Sequence, residues 1–181
     1  MIKPVKLSVI IGSLRENSIN RIFANYISQQ LPDHVTVEEI VIHDLPLYNQ
    51  DYDQQSIESY DRVRQQIQAS DAILIVTPEH NRTLPAALKN VIDIASRPHG
   101  QSVWAAKKVA VVTAVPGTYG GRECGIDVRK VMQSLSAKVM ITPEVYLSRA
   151  TESIEEGQVT SDRTKEFLDA FAEALVEFIG G

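Results

Sequence analysis

Cysteine is nearly missing from this chain, which has one, Cys124, in 181 residues. A disulfide framework within the chain is therefore excluded, and so is a cysteine-rich metal centre. The four histidines, His34, His43, His80 and His99, are scattered without ligand spacing, so no metal site is expected. Positive charge is also scarce: 18 Lys and Arg stand against 23 Asp and Glu, a formal net charge of -5, and no cluster forms a basic stripe. Nucleic acid is thus not an expected partner. No apolar stretch is long enough to span a bilayer. The opening MIKPVKLSVIIG lacks a long apolar core and a small-residue cleavage site, so a cytoplasmic location with no membrane attachment is expected. Repeats, linkers and low-complexity segments are absent as well, which at this length predicts a single domain over residues 1–181.

What is present is an alternation of apolar runs and amphipathic stretches. Leu7, Val9, Ile10 and Ile11 form an almost unbroken β-branched run, as a strand buried on both faces requires, and it stops at Gly12. Ile22, Phe23, Tyr26, Ile27 and Leu31 then recur at helical spacing. Val35 to Ile42, Ala72 to Val76, Val109 to Val115 and Lys138 to Thr142 read as four further strands. Between and after them lie helical patterns: Ile57, Tyr60, Val63 and Ile67, then Leu84, Leu88, Val91, Ile92 and Ala95. A fourth has Ile126, Val128, Val131, Met132 and Leu135 pointing inward, and the last runs through Phe167, Phe171, Leu175 and Phe178. Residues 143–162 read as an exposed acidic connection. Five strands alternating with five helices imply an α/β fold, a parallel sheet with helices on both faces, because right-handed crossovers place them there.

Ligands of such sheets sit beyond the carboxyl ends of the strands, and three of those ends carry unusual loops. The first, Gly12 to Asn20, sets Ser13, Arg15, Asn17, Ser18 and Asn20 in a strand-to-helix turn, where unpaired N–H groups at the positive end of a helix suit a phosphate. A turn at Gly12 with Ser18 or Asn17 as an ordinary cap accounts for the same residues. The second loop, TPEHNRTLPAALKN, carries Glu79, His80 and Asn81 between Pro78 and Pro85, with Thr83 as the expected N-cap. Asn81 offers both a donor and an acceptor to a flat heterocycle, though a capped βα turn is the alternative. In the third, Gly117, Gly120 and Gly121 permit close approach to a ring that Tyr119 would cover, and a plain glycine-rich turn is again the alternative. Neither G-x-G-x-x-G after the first strand nor G-x-x-x-x-G-K-[ST] occurs. A mononucleotide such as FMN is the ligand best matched to a cradle of this kind.

GSLRENSIN, LPLYNQD, TPEHNRTLPAALKNVIDIASRP and GTYGGR resemble the corresponding segments of the NADPH-dependent FMN reductases, a family that includes azoreductases, quinone reductases and chromate reductases. The resemblance implies a flavodoxin-like three-layer sandwich around a five-stranded parallel sheet. It implies tightly bound FMN, with Ser13, Arg15, Ser18 and Asn20 on the phosphate. Pro78, Glu79 and Asn81 would contact the isoalloxazine, with His80 touching or flanking it, and the loop at Gly117, Tyr119, Gly120 and Gly121 would close over it. Hydride would pass from NADPH or NADH through the flavin to a small-molecule acceptor: a quinone, azo compound, metal oxyanion or free flavin. No side-chain acid or base is required, so no catalytic residue is assigned. The family also implies a homodimer or homotetramer. His80, Ala86 and Ile94 depart from the family's usual Tyr, Gly and Trp. A non-enzymatic flavin-binding electron carrier or sensor is the alternative function, and a flavin-free binding module is a further one.

Overall fold

The two most apolar runs of the sequence become the middle of a parallel sheet. In the computed structural model, which describes residues 3–180, β1 (Val5–Ile11) lies between β2 (Val35–Glu39) and β3 (Ala72–Thr77), and β3 pairs in turn with β4 (Lys108–Ala114). Every residue of β3 is buried, whereas β2, at the edge, buries only Val35. That contrast is what a two-sided sheet demands of a central and an edge strand. The fifth position is occupied by two short segments, β5 (Lys138–Val139) and β6 (Val145–Leu147), both parallel to β4. The order 2-1-3-4-5 is the flavodoxin-like one, in which β1 and β3 lead off in opposite directions and leave a crevice between their carboxyl ends.

Two apolar layers flank the sheet. One packs α1 (Ile19–Gln29) and α5 (Asp162–Gly180) against it through Phe23, Ile27, Leu168, Phe171 and Leu175. The other packs α2 (Glu58–Ala69), α3 (Ala86–Ala95) and α4 (Arg122–Ser134) through Val63, Ile67, Leu88, Val91, Val128 and Met132. No helix among the described residues is long and apolar enough to cross a membrane.

The structure corrects several sequence expectations. The fifth strand resumes at Val145 after a break, and residues 143–162 are not a wholly exposed connection. Val145, Ala150 and Val159 are buried, and the last belongs to a small antiparallel pair, β7 (Ile154–Glu155) and β8 (Gln158–Val159). In α4 the inward stripe is Cys124, Val128 and Met132, which leaves Ile126 exposed. In α5 it is Leu168, Phe171, Leu175 and Ile179, so Phe167 is turned largely outward. In both helices a neighbouring apolar residue at i±1 or i±2 lies off the buried stripe, because one face of a 3.6-residue period is about 100° wide.

Candidate functional site

Three strand ends form a common floor. Gly12 follows β1 so closely against β3 that a Cβ there would lie 2.2 Å from Thr77 Oγ1. Thr77 is paired in register with Thr113 of β4, and both are fully buried. Thr113 Oγ1 donates to the Gly120 carbonyl at 2.6 Å, which pins the third loop to its strand. The three loops expected to converge are therefore joined through Gly12, Thr77, Thr113 and Gly120. The sequence gives no sign of this role for either threonine: Thr77 reads only as the start of the second loop and Thr113 as one more β-branched strand residue.

On this floor the first loop holds polar atoms that have no bond. Ser18 is the N-cap of α1 yet makes no side-chain capping bond, and its Oγ is buried without a partner. Asn20, in the first turn, is buried with Oδ1 equally unpartnered. Leaving a buried polar group unbonded costs about 1–3 kcal/mol, so two of them at the positive end of one helix suit an external ligand. Ser13 Oγ accepts a long 3.4 Å contact from the Arg15 N–H, and the Arg15 side chain is exposed. Arg21 is not a second free cation here, because its guanidinium grips the Glu39 carboxylate with two nitrogens. A cleft of about 360 Å³ opens beside Ser13, Arg15 and His43.

The second loop is a tight hairpin. His80 and Thr83 exchange both backbone hydrogen bonds, at 3.1 and 3.0 Å, and the residues between them, Asn81 and Arg82, both have left-handed backbone, φ 50° and 67°. Two positive φ angles are the signature of a type I′ turn. Thr83 is not the N-cap of α3: Pro85 takes that place, and Thr83 Oγ1 instead donates to Asp127 Oδ2 of α4 at 2.7 Å. The hairpin bridge fixes Thr83 short of the helix, where its hydroxyl faces across to α4.

Glu79 is also turned toward α4. Its side chain is only 10% exposed, and Oε2 accepts from the Cys124 N–H in the first turn of α4 at 3.1 Å. A carboxylate at the positive end of a helix is favourable on both hydrogen-bond and dipole grounds. Nearby, the Arg82 guanidinium lies over the Tyr119 ring, 4.3 Å from its centroid. Sequence reasoning found no signal for these links, since each joins residues 37 to 45 positions apart.

In the third loop Gly120 and Gly121 have φ 67° and 73°, and a Cβ at Gly120 would lie 2.9 Å from the Tyr146 carbonyl oxygen. Both therefore need to be glycine. Gly117 differs, because a Cβ there would meet nothing within 4 Å. Pro78 is half-buried, while His80, Asn81, Gly117 and Tyr119 are exposed along the rim. Cys124 is fully buried and its thiol is pushed up to about 12, chiefly by that burial, so it is a packing group rather than a nucleophile.

The loop after β2 is fixed from the other side. Asn90 of α3 accepts from the Tyr48 N–H at 2.8 Å and donates to the Pro46 carbonyl at 2.9 Å, while the Tyr60 hydroxyl bonds the Pro46 and Leu47 carbonyls. The result leaves Leu47 exposed at the apex.

The floor, the two orphaned polar side chains and the glycine turn fit a flat cofactor with an anionic tail, and relatives of known function agree. Residues 5–152 match the family model described as NADPH-dependent FMN reductase. A quinone reductase of Pseudomonas putida is 40% identical over 174 residues, 96% of this chain and 94% of that protein. A 2-hydroxy-1,4-benzoquinone reductase from a Burkholderia species is 36% identical over 176 residues, 97% of this chain and 96% of that protein. Among solved structures, the flavoenzyme NAD(P)H:(acceptor) oxidoreductase FerB of Paracoccus denitrificans superposes with a TM-score of 0.90 at 34% identity, covering 97% of each chain. This chain belongs to the NADPH-dependent FMN reductase family and is an NAD(P)H-dependent flavin oxidoreductase.

Proposed function

We propose that the chain reduces a quinone with electrons from NADPH or NADH, holding FMN on the floor formed by Gly12, Thr77, Thr113 and Gly120. The observation that carries the reading is the pair of buried, unbonded oxygens, Ser18 Oγ and Asn20 Oδ1, at the first turn of α1. The Ser18 hydroxyl and the N–H groups of that turn can donate to a phosphate tail, Asn20 Oδ1 can accept from a hydroxyl of the same ligand, and exposed Arg15 supplies positive charge beside them. When bound, FMN supplies the two-electron centre between nicotinamide and acceptor.

The chain's own residues bind and orient. The hairpin at His80 to Thr83 presents Pro78, His80 and Asn81 to one edge of a ring, and the consecutive left-handed glycines let the third loop approach it closely. Glu79 acts on α4 rather than on the ring: it is a positioning residue that holds the two loops at a fixed separation. Because the rim is exposed, flat acceptors of several shapes can enter, which supports quinones foremost and leaves room for azo compounds, metal oxyanions and free flavin.

We place the protein in the cytoplasm as a homodimer or homotetramer. Exposed Leu14 and Leu47 on the site's loops support an assembly that covers them, and light scattering on the purified protein tests it. The activity itself is tested by an absorbance spectrum, release of the chromophore by denaturation, and steady-state oxidation of NADPH with a soluble quinone. A flavin spectrum, released FMN and rapid quinone-dependent NADPH loss are expected. A colourless protein unaffected by FMN, or a yellow one that leaves NADPH unoxidised, contradicts the reading.

A further inference from the structure

Arg82 occupies a place where its residue type is unfavourable. It is the second central residue of the hairpin turn, at φ 67°, the position that such turns ordinarily give to glycine. Asn81 before it tolerates left-handed backbone through its short polar side chain, but a long side chain gains nothing comparable. An observed outlier of this kind at a site rim calls for a function.

The interior gives the guanidinium little to do. Among the described residues its one acidic neighbour within salt-bridge range is Glu79, at a long 3.8 Å, and that carboxylate already accepts from the Cys124 N–H. Arg82 is 59% exposed, and among the described residues it donates no hydrogen bond to protein. Exposed pairs at such distances contribute little. Its other neighbour is Tyr119, with the guanidinium carbon over the ring and 4.3 Å from its centroid. A cation–π contact of this kind consumes none of the N–H groups in hydrogen bonds to the protein. The charge thus lies between the second and third loops with its donors unused.

We propose that Arg82 is a specificity residue for the reaction above: it receives a negatively charged oxygen of the reactant that docks on the flavin. This deepens the proposed function and rests on it. On a chain of net charge -5, a guanidinium at the rim offsets the repulsion that an anionic reactant otherwise meets. The oxygen has two possible sources, a phosphate of the nicotinamide dinucleotide or an anionic group on the quinone, and the shared chemistry is a charge-assisted hydrogen bond from a planar fork.

The test compares the parent holoprotein with Arg82→Gly and Arg82→Lys. Glycine suits the turn, so Arg82→Gly is expected to melt no more than about 2 °C below the parent, a shift worth little on the scale of a domain this size. Two quantities are read: the ratio of kcat/KM for 1,4-naphthoquinone-2-sulfonate to that for neutral 1,4-naphthoquinone, and the equilibrium affinity for redox-inert NADP+. In Arg82→Gly at least one falls about tenfold, the size of a lost hydrogen bond to a charged group, and Arg82→Lys recovers part of the loss. A falling quinone ratio identifies the acceptor as the source, and falling NADP+ affinity identifies the dinucleotide. The proposal is overturned if neither quantity moves, if lysine restores nothing, or if Arg82→Gly melts several degrees lower, which makes the arginine a latch. Should the parent turn over neither quinone, the functional reading falls, and binding of NADP+ and of 1-naphthalenesulfonate to parent and variant still decides the role of Arg82.

Discussion

In the first loop the polar side chains that matter have nothing inside the protein to bond. In the second loop they bond to α4: Glu79 to the Cys124 N–H and Thr83 to Asp127. The two regions lie on the same floor, so the difference is one of task. Residues that serve the fold are satisfied within it, and their loss is felt by the protein alone. Residues kept unsatisfied at a helix start serve something from outside, and their loss is felt by the complex.

The largest effect is expected where the regions meet. Gly12→Ala puts a methyl 2.2 Å from Thr77 Oγ1 and 2.7 Å from Thr77 Cβ, and crowding of that kind costs about 1–3 kcal/mol. Urea denaturation of the flavin-free variant reads that loss, and FMN retention falls with it because the floor is pushed apart. An unchanged midpoint breaks the claim that the loop is set by the contact with β3.

Glu79→Ala removes the carboxylate at the start of α4 and is expected to lower flavin-free stability by about 1–2 kcal/mol. If it instead leaves stability intact and abolishes flavin binding alone, Glu79 belongs with the first loop, as the family resemblance suggested, and the comparison is redrawn.

Cys124 sharpens the satisfied side further. Its thiol lies above its ordinary value of 9.0, at about 12, because burial disfavours the thiolate. A raised folded value means stability fully present below the unfolded value and lost as pH rises from there toward 12. Between pH 8 and 10 the parent is therefore expected to lose more stability than Cys124→Ala, as read by urea midpoints. Equal losses show that the thiol is not held back by burial. The smallest effect is at Gly117, where a Cβ meets open space: Gly117→Ala is expected to change flavin-free stability by less than about 0.5 kcal/mol.

Much of this was legible in the sequence. The buried strands announce themselves because β1, β3 and β4 are nearly continuous apolar runs, and three loops follow them with atypical composition. The short segments β5 and β6, two and three residues long, fall below any periodic signal, so the return of the chain to the sheet at Val145 was not visible. Thr83 looked like a cap because caps are local, whereas its partner Asp127 is 44 positions away. The partners of Glu79 and Arg82 were hidden for the same reason, and the strain at Arg82 depends on a turn geometry that only the bridge between His80 and Thr83 reveals. Ser18 and Asn20 were found as residues, but that they are buried and unbonded required the packing of α1 on the sheet.

The most direct measurement is a thermal-shift titration of flavin-free protein with FMN, comparing the parent with Ser18→Ala. Without FMN the variant melts at or above the parent, since an unbonded buried hydroxyl has been removed, while its apparent FMN affinity is about tenfold weaker. A variant that is destabilised on its own yet binds FMN as the parent does contradicts the account, because Ser18 then serves the fold and not the ligand.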